Sequence, residues 1–425
     1  MIENPLIERR NRLLGSKTPV FYENPVHIVR GEGVWLYDSD GQRYLDCYNN
    51  VPSVGHCHPA VVDALCAQVR TLNVHTRYLH ENILDYAEQL LAKFDESLDR
   101  VMFVCTGSEA NDQALRIARM HTGKRGFICS NATYHGNTEA VIQLSTIFGS
   151  SDTSSEDIRM VDWPDSYRTI NGLSGDALYD AYAKQLSEAI GSLEDSGVGV
   201  AGMIVCPIFA NEGLPVDPHW YLQRVMPLIR EAGGLYIADE VQAGFGRTGK
   251  WWGHTDSGLI PDIVTLGKPM GAGHPLAGLV TRNDLMHEFQ EKEGYFNTFG
   301  GNPVSCAVGL AVLNVLEGEG LIENAAVVGA YVMKKFTELQ SRFDFIGDVR
   351  GNGLFFGMDL VSDRAQKTAD ARLARRFVNT MRDKGILMGN IGEYGNILKL
   401  RPPLCFSKEN ADMLVATLDE VFSAG

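Results

Sequence analysis

The sequence predicts an α/β protein: a large domain built on a mostly parallel, doubly wound sheet, followed by a smaller α+β domain. Three observations point there. Short apolar runs alternate with helical patterns through the middle of the chain. Those runs have the length and β-branched content of strands covered on both faces. After about residue 320 the alternation stops, and a long amphipathic helix, two strand-like runs and a final helix follow.

The elements can be justified in order. "VMFVC" (101–105) reads as a strand and precedes "SEANDQALRIARM", where Ala110, Leu115, Ile117 and Ala118 form a helical stripe. "GFIC" (126–129), "GMIVC" (202–206), "LYIAD" (235–239) and "DIVTLG" (262–267) read as further strands. "HWYLQRVMPLIREAGG" (219–234) is a helix with a glycine stop. "ENAAVVGAYVMKKFTELQSRF" (323–343) is the long amphipathic helix, and "VRGNGLFFGMDLV" (349–361) and "ILKLRPPLCF" (397–406) are expected strands. "SKENADMLVATLDEVFSAG" opens on a capping-type serine and continues as a helix. The expected organisation is an N-terminal segment, 1–50, contributing to the small domain and the site. A large domain, 51–318, and a small α+β domain, 319–425, follow.

A chain of 425 residues suggests two or three domains, and 44% hydrophobic with 21% charged residues is ordinary globular composition. The formal charge of −15 disfavours nucleic acid or an anionic membrane as partner. An anionic ligand must then be caught by a local positive site. No apolar run reaches the roughly 18 residues of a membrane span, and "MIENPLIERRNRLLGS" has no signal-peptide pattern, so a cytoplasmic protein is expected. The eight cysteines (47, 57, 66, 105, 129, 206, 306 and 405) contain no CxxC pair, which favours reduced thiols. His56, Cys57 and His58 in "GHCHP" invite a metal, but adjacent residues rarely converge on one ion and no second cluster completes a site. No metal is expected.

Three segments suggest chemistry. In "CTGSEAND" (105–112), Gly107 and Ser108 open a helix after a strand, where free N–H groups and the helix dipole favour an anion. The plain alternative is that Ser108 only caps its own helix. In "YIADEVQAGFGRTG" (236–249), Asp239 and Glu240 stand at a strand end, the edge where open α/β sheets place ligands. A buried carboxylate there needs a partner, and a protonated ring nitrogen would serve. In "TLGKPMGAGHPLAG" (265–278), Lys268 is the only formally charged residue. A solvated turn lysine is the bland reading. The sharper one is a desolvated amine able to attack a carbonyl. Together the three suit a cofactor bearing a phosphate, a basic ring nitrogen and an aldehyde, which describes pyridoxal phosphate. Tyr134 in "TYHGNT" is placed to lie over its ring.

"TGSEAND", "YHGNT", "IADEVQAGFGRTG", "GKPMGAGHPLAG" and "NTFGGNPVSCAVGLAVL" resemble motifs of the class III (ω-type) aminotransferase family, pyridoxal-phosphate enzymes of fold type I. The resemblance runs from about Leu13 to Phe422 and implies a homodimer with shared active sites. It implies that Lys268 holds the cofactor covalently, Asp239 pairs with the ring nitrogen, and Val241 packs against the ring opposite Tyr134. It further implies that Gln242 approaches the ring hydroxyl, and that Gly107, Ser108 and the second subunit's copy of Thr298 hold the phosphate.

"YLDCYNNVPSVGHCHP", "RYLHENILDYAEQL" and "YFNTFGGNPVSCAVGLAVL" are most similar to the phospholyase branch of that family. This implies elimination of phosphate or ammonia from a small anionic amine: ethanolamine phosphate, phosphohydroxylysine or 2-amino-1-hydroxyethylphosphonate. The alternative is an ω-aminotransferase. Two departures from transaminating members bear on the choice. Cys206-Pro207 stands where many have Glu-Pro, although phospholyases are expected to keep that Glu. Lys399 stands where many have a carboxylate-binding arginine, and an ammonium suits phosphate or phosphonate as a point charge. Lys399 and Arg401 are read as alternating along a strand, so that one of the two faces the site. Arg77 is another candidate anion contact, near the loop of Asn49, Asn50 and Val51. Its plain alternative is a surface or dimer ion pair. Glu212 in "ANEG" is either a turn residue or part of the site.

Overall fold

The computed structural model describes residues 5–147, 155–216 and 218–424. Three N-terminal strands, β1 (Ile28–Glu32), β2 (Trp35–Asp38) and β3 (Arg43–Asp46), form an antiparallel meander. The large domain holds β4 (Arg100–Val104), β5 (Gly126–Ser130), β6 (Ile158–Val161), β7 (Val200–Val205), β8 (Leu235–Asp239), β9 (Ile263–Leu266) and β10 (Ala277–Thr281). Their spatial order is β4-β10-β9-β8-β7-β5-β6. Strands β5 to β9 are mutually parallel, while β10 runs antiparallel to both β9 and β4. Every position of β5, β7, β8, β9 and β10 is buried, as a sheet with helices on both faces requires. The chain thus has the α/β architecture expected, with β10 the one reversal in the large sheet.

The C-terminal part contributes β11 (Ile346–Asn352), β12 (Phe355–Asp363), β13 (Thr368–Ala369), β14 (Ile386–Leu387), β15 (Gly389–Ile391) and β16 (Ile397–Leu400). Strands β11-β12-β16-β15 form an antiparallel sheet, with β13 on β12. Strand β14 instead joins the N-terminal meander, parallel to β3, pairing Ile386 with Leu45. The helix Leu321–Arg342 buries Leu321, Ala325, Val328, Val332, Phe336 and Leu339, a three-to-four spacing that makes one apolar face. Gly329 lets this helix approach closely: a Cβ there would lie 2.2 Å from the Gly353 carbonyl oxygen.

Two expected strands differ in extent. The 349–361 run is a hairpin, β11 and β12, turning at Gly353 with φ +55°. Asn352-Gly353 is a strong turn dipeptide, which the apolar content on either side outweighed in the sequence. The 397–406 run stops at Leu400, because Pro402 and Pro403 have no N–H for a ladder. The final helix, Lys408–Ser423, begins as expected: Ser407 Oγ accepts from Asn410 N at 3.2 Å, and Asn410 Oδ1 accepts from Ser407 N at 3.0 Å.

A buried ionic cluster fastens the C-terminal sheet to the large domain. Asp359 on β12 is fully buried and accepts Arg350 Nη2 at 2.5 Å, Arg168 Nη1 and Nη2 at 2.6 and 2.8 Å, and Asn396 Nδ2 at 2.7 Å. Arg350 also donates to the Gly213 carbonyl at 3.0 Å and pairs with Asp348 at 2.8 Å. Removing the shared acceptor leaves two guanidinium groups short of their counter-charge. Asp359→Ala is expected to destabilise the fold by ~3–5 kcal/mol, measured as the shift in chemical-denaturation midpoint.

Candidate active site

Because β5 to β9 are parallel and β4 shares their direction, the carboxyl ends of all these strands meet at one edge of the sheet. A narrow cleft of about 120 Å³ opens there. The segment after β4 brings Gly107 and Ser108, and that after β5 brings Tyr134, His135 and Gly136. Cys206 follows β7, Asp239 ends β8 with Val241 and Gln242 behind it, and Lys268 follows β9. The three chemical segments of the sequence therefore converge on one small space.

The helix start is open to a ligand anion. Thr106, not Ser108, is the cap of helix Gly107–Thr122, its Oγ1 accepting from Glu109 N at 3.1 Å. Glu109 Oε2 accepts from Cys105 N at 2.9 Å. Ser108 Oγ is freed from capping and accepts from Asn137 N at 3.2 Å. The walls are tight: a Cβ on Gly107 would lie 2.9 Å from Val241 Cγ2, and one on Gly136 would lie 2.7 Å from Ser108 Oγ. Only glycines let the two backbones close around a group held at this helix end.

Asp239 is 5% exposed. Its Oδ2 meets His135 Nδ1 at 2.7 Å and accepts from Asn111 Nδ2 at 3.1 Å, while Oδ1 accepts from Val241 N at 3.0 Å. Asn111 is held in turn by Thr265 Oγ1, donating to its Oδ1 at 2.6 Å, and by the His135 carbonyl, which accepts from its Nδ2 at 2.6 Å. Lys268 is different. Among the described residues its ammonium has no hydrogen-bond or ion-pair partner, and burial, reinforced by Arg401, lowers its pKa against the opposing pull of Asp239. A carboxylate held by fixed donors and an amine inclined to lose its proton share one cleft.

Lys399 and Arg401 both reach the site. Lys399 on β16 and Arg401, the residue just past its end, both bond to Gln242, so the expectation that one of them turns away is corrected. Lys399 Nζ donates to Asn211 Oδ1 at 3.0 Å and to Gln242 Oε1 at 3.3 Å. Arg401 Nη1 donates to the same Gln242 oxygen, and its Nε to the Tyr48 carbonyl at 2.7 Å. Gln242 Nε2 donates to Asn211 Oδ1 at 3.1 Å. Both cations are buried, and neither has an ion-pair partner among the described residues. Burial, and then each other's charge and that of Lys268, pulls the Lys399 pKa well below the lysine range.

Among the described residues, the remaining candidates form no hydrogen bond with Lys268, Lys399 or Arg401. Arg77 is exposed and sits 3.8 Å over the Phe296 ring, and Thr298 is on the surface. Asn50 is buried with its side-chain Nδ2 lacking a hydrogen-bond partner. Glu212 lies behind the cleft, its Oε1 accepting from Ser130 Oγ at 2.6 Å and its Oε2 from Asn211 N at 3.0 Å; burial raises its pKa. His56 pairs with Asp46 and His58 with Glu319, so the "GHCHP" imidazoles diverge. The sequence reading missed Asn111, His135 and Asn211. Asn111 lies three residues after Ser108, on the same helical face, and His135 follows Tyr134, so spacing offered a signal for both.

The family model described as aminotransferase class-III matches residues 19–422. The chain belongs to that family. Two curated relatives are similar over 98% of the chain: "Alanine–glyoxylate aminotransferase 2-like" of Drosophila melanogaster, 40% identical over 87% of its length, and "Ethanolamine-phosphate phospho-lyase homolog 1" of Caenorhabditis elegans, 38% identical over 93%. A solved phospholyase from Arthrobacter, in complex with phosphoethanolamine, is 42% identical with TM-score 0.96, covering 99% of this chain and all of that one. An amine transaminase from an uncultivated Pseudomonas species, solved in its PLP-bound form, is 29% identical with TM-score 0.86, covering 96% of this chain and 98% of that one.

The Asp239 support network is testable without any ligand. Asn111→Leu leaves the Thr265 hydroxyl and the His135 carbonyl unpartnered and strips Asp239 of a donor. It is expected to cost about 1–3 kcal/mol or more, read as a lowered thermal midpoint.

Proposed function

We propose that this chain is a pyridoxal-phosphate-dependent lyase that eliminates phosphate, or ammonia, from a small aminated phosphate or phosphonate to give an aldehyde. The observation that carries this reading is the pair of buried cations, Lys399 and Arg401, standing together at the cleft with no ion-pair partner among the described residues. In a chain of net charge −15, that pair is a local receptor for an anion of high charge. The likeness to the phospholyase solved with phosphoethanolamine supports it.

The residues fit the cofactor. Lys268 would hold its aldehyde carbon, Asp239 its ring nitrogen, and the Gly107–Ser108 helix start its phosphate, with Val241 and Tyr134 on the two ring faces. The cofactor supplies, when bound, a carbonyl for the substrate amine and a ring that takes up an electron pair. The protein does the rest. Asp239, fixed by His135 and Asn111, holds the ring proton in place. Lys268 Nζ, with its lowered pKa, takes the proton from the substrate carbon bearing nitrogen. Lys399 and Arg401 hold the phosphoryl or phosphonyl group and offset the charge that develops as the bond from the neighbouring carbon to phosphate, or to hydroxide in a hydroxyphosphonate, breaks. Water then hydrolyses the released enamine to aldehyde and ammonia.

The second reading is an ω-aminotransferase, favoured by the likeness to the amine transaminase, because the cofactor residues serve both reactions. The chain is further proposed to act as a cytoplasmic homodimer. Leu79 is wholly exposed and Tyr78 and Phe299 mostly so, next to Thr298, an apolar surface suited to a second copy.

Two measurements check the reading. Purified holoenzyme given ethanolamine phosphate or 2-amino-1-hydroxyethylphosphonate with no keto acid is expected to release phosphate with ammonia, or ammonia alone. Turnover only after pyruvate or 2-oxoglutarate is added establishes the aminotransferase instead. The pH dependence has a definite sign. Only charged Lys399 attracts the anion, and its pKa is lowered by burial, so affinity is complete below that value and lost as pH rises through it, before the ordinary lysine value of 10.5. KM is therefore expected to climb on the alkaline side. In Lys399→Ala it should be raised by about 10- to 100-fold and respond less to pH, with cofactor absorbance intact.

A further inference from the structure

The groups that accept hydrogen bonds from Lys399 and Arg401 are amides and a carbonyl, while Glu212 and Asp46 act on them only from a distance. Asn211 is their hub. Its Oδ1 accepts from both Lys399 Nζ and Gln242 Nε2, and its Nδ2 donates to the Tyr134 carbonyl at 3.4 Å. Its backbone carbonyl accepts from Gly392 N at 3.2 Å, and its N–H is taken by Glu212. One residue therefore touches the β16 cation, the Gln242 amide, the Tyr134 loop and the β15–β16 turn. Cys206, at the start of the same loop, lines the cleft with a neutral thiol that burial keeps protonated.

We propose that Asn211 sets the charge selectivity of the site: its neutral amide positions Lys399 while leaving the two buried cations without a carboxylate in contact, and so reserves the pocket for a doubly charged phosphoryl or phosphonyl group. The proposal rests on the lyase reading and deepens it, by assigning substrate class to a residue that is not itself charged. The physical reason is a competition. A carboxylate at this position would form a hydrogen-bonded ion pair with Lys399, already 3.0 Å away, and an incoming anion would have to displace it. An amide of the same shape holds the ammonium by its dipole and leaves the charge available. Loss of the amide altogether would free Lys399 without neutralising it.

The test compares the wild-type holoenzyme with Asn211→Asp and Asn211→Ala, using inorganic phosphate as probe, since the bound cofactor fills the helix-start phosphate site. Phosphate affinity is measured by calorimetry, and cofactor absorbance and thermal midpoint report on folding. Asn211→Asp is expected to bind phosphate on the order of 10- to 100-fold more weakly than wild type, and Asn211→Ala much less weakly than that. For the phosphorylated substrate, the Asp variant should raise KM more than it lowers kcat. Equal affinity in wild type and Asn211→Asp overturns the proposal. So does an equal loss in Asp and Ala variants, which makes Asn211 a positioning residue of no electrostatic consequence. Either result leaves the lyase reading standing if keto-acid-independent release persists. Wild-type holoenzyme that neither binds phosphate nor releases phosphate or ammonia from either substrate without a keto acid overturns both.

Discussion

Asp359 is a full negative charge with no exposure to water, tolerable only because two guanidinium groups and an amide surround it. Arg168 comes from the large domain and Arg350 from β11, so the carboxylate cannot be satisfied unless the two domains are docked. The same strand sets the register of the site. On β12, Gly357 lies two residues before Asp359 and pairs with Lys399 on β16. The docking charge and the Lys399 cation are thus separated by one step of a sheet. Arg350 also grips the carbonyl of Gly213, two residues beyond Asn211, which fixes the large-domain side of the same contact.

The chemistry divides along that seam. The large domain supplies Asp239, Lys268 and the glycine-walled helix start, a constellation that sits at strand ends and follows from parallel topology alone. The C-terminal part supplies Lys399 and Arg401, the cations proposed to choose the substrate. Cofactor chemistry and substrate selection can therefore change separately, and one family can hold both lyases and aminotransferases on nearly the same backbone. The helix start illustrates how local the first half is: Thr106 caps the helix, which releases Ser108 for another partner.

Much of this was legible in the sequence. The strand-length apolar runs marked the central sheet, and Lys268, Asp239 and Gly107-Ser108 stood out because their surroundings were wrong for solvated residues. What escaped was tertiary. His135 and Asn111 are unremarkable polar residues until the fold brings them to Asp239 from separate elements. Asn211 carried no signal beyond its neighbour Glu212, which is the one that turns away into the interior. The reach of both Lys399 and Arg401 was recoverable from the two-residue repeat of a strand. That neither has an ion-pair partner among the described residues was not, because it depends on where the fold places the neighbouring carboxylates.

The pairing of Ile386 with Leu45 has a temporal side. Strand β3 leaves the ribosome early, yet its parallel partner follows about 340 residues later, on the order of half a minute at ordinary elongation rates. Throughout that interval the meander has an unpaired edge bearing half-formed apolar surface. That edge is closed only when β14 emerges and pairs with β3. The sheet that joins the two ends of the chain is therefore the one completed last, a non-local pairing whose closure comes late in folding.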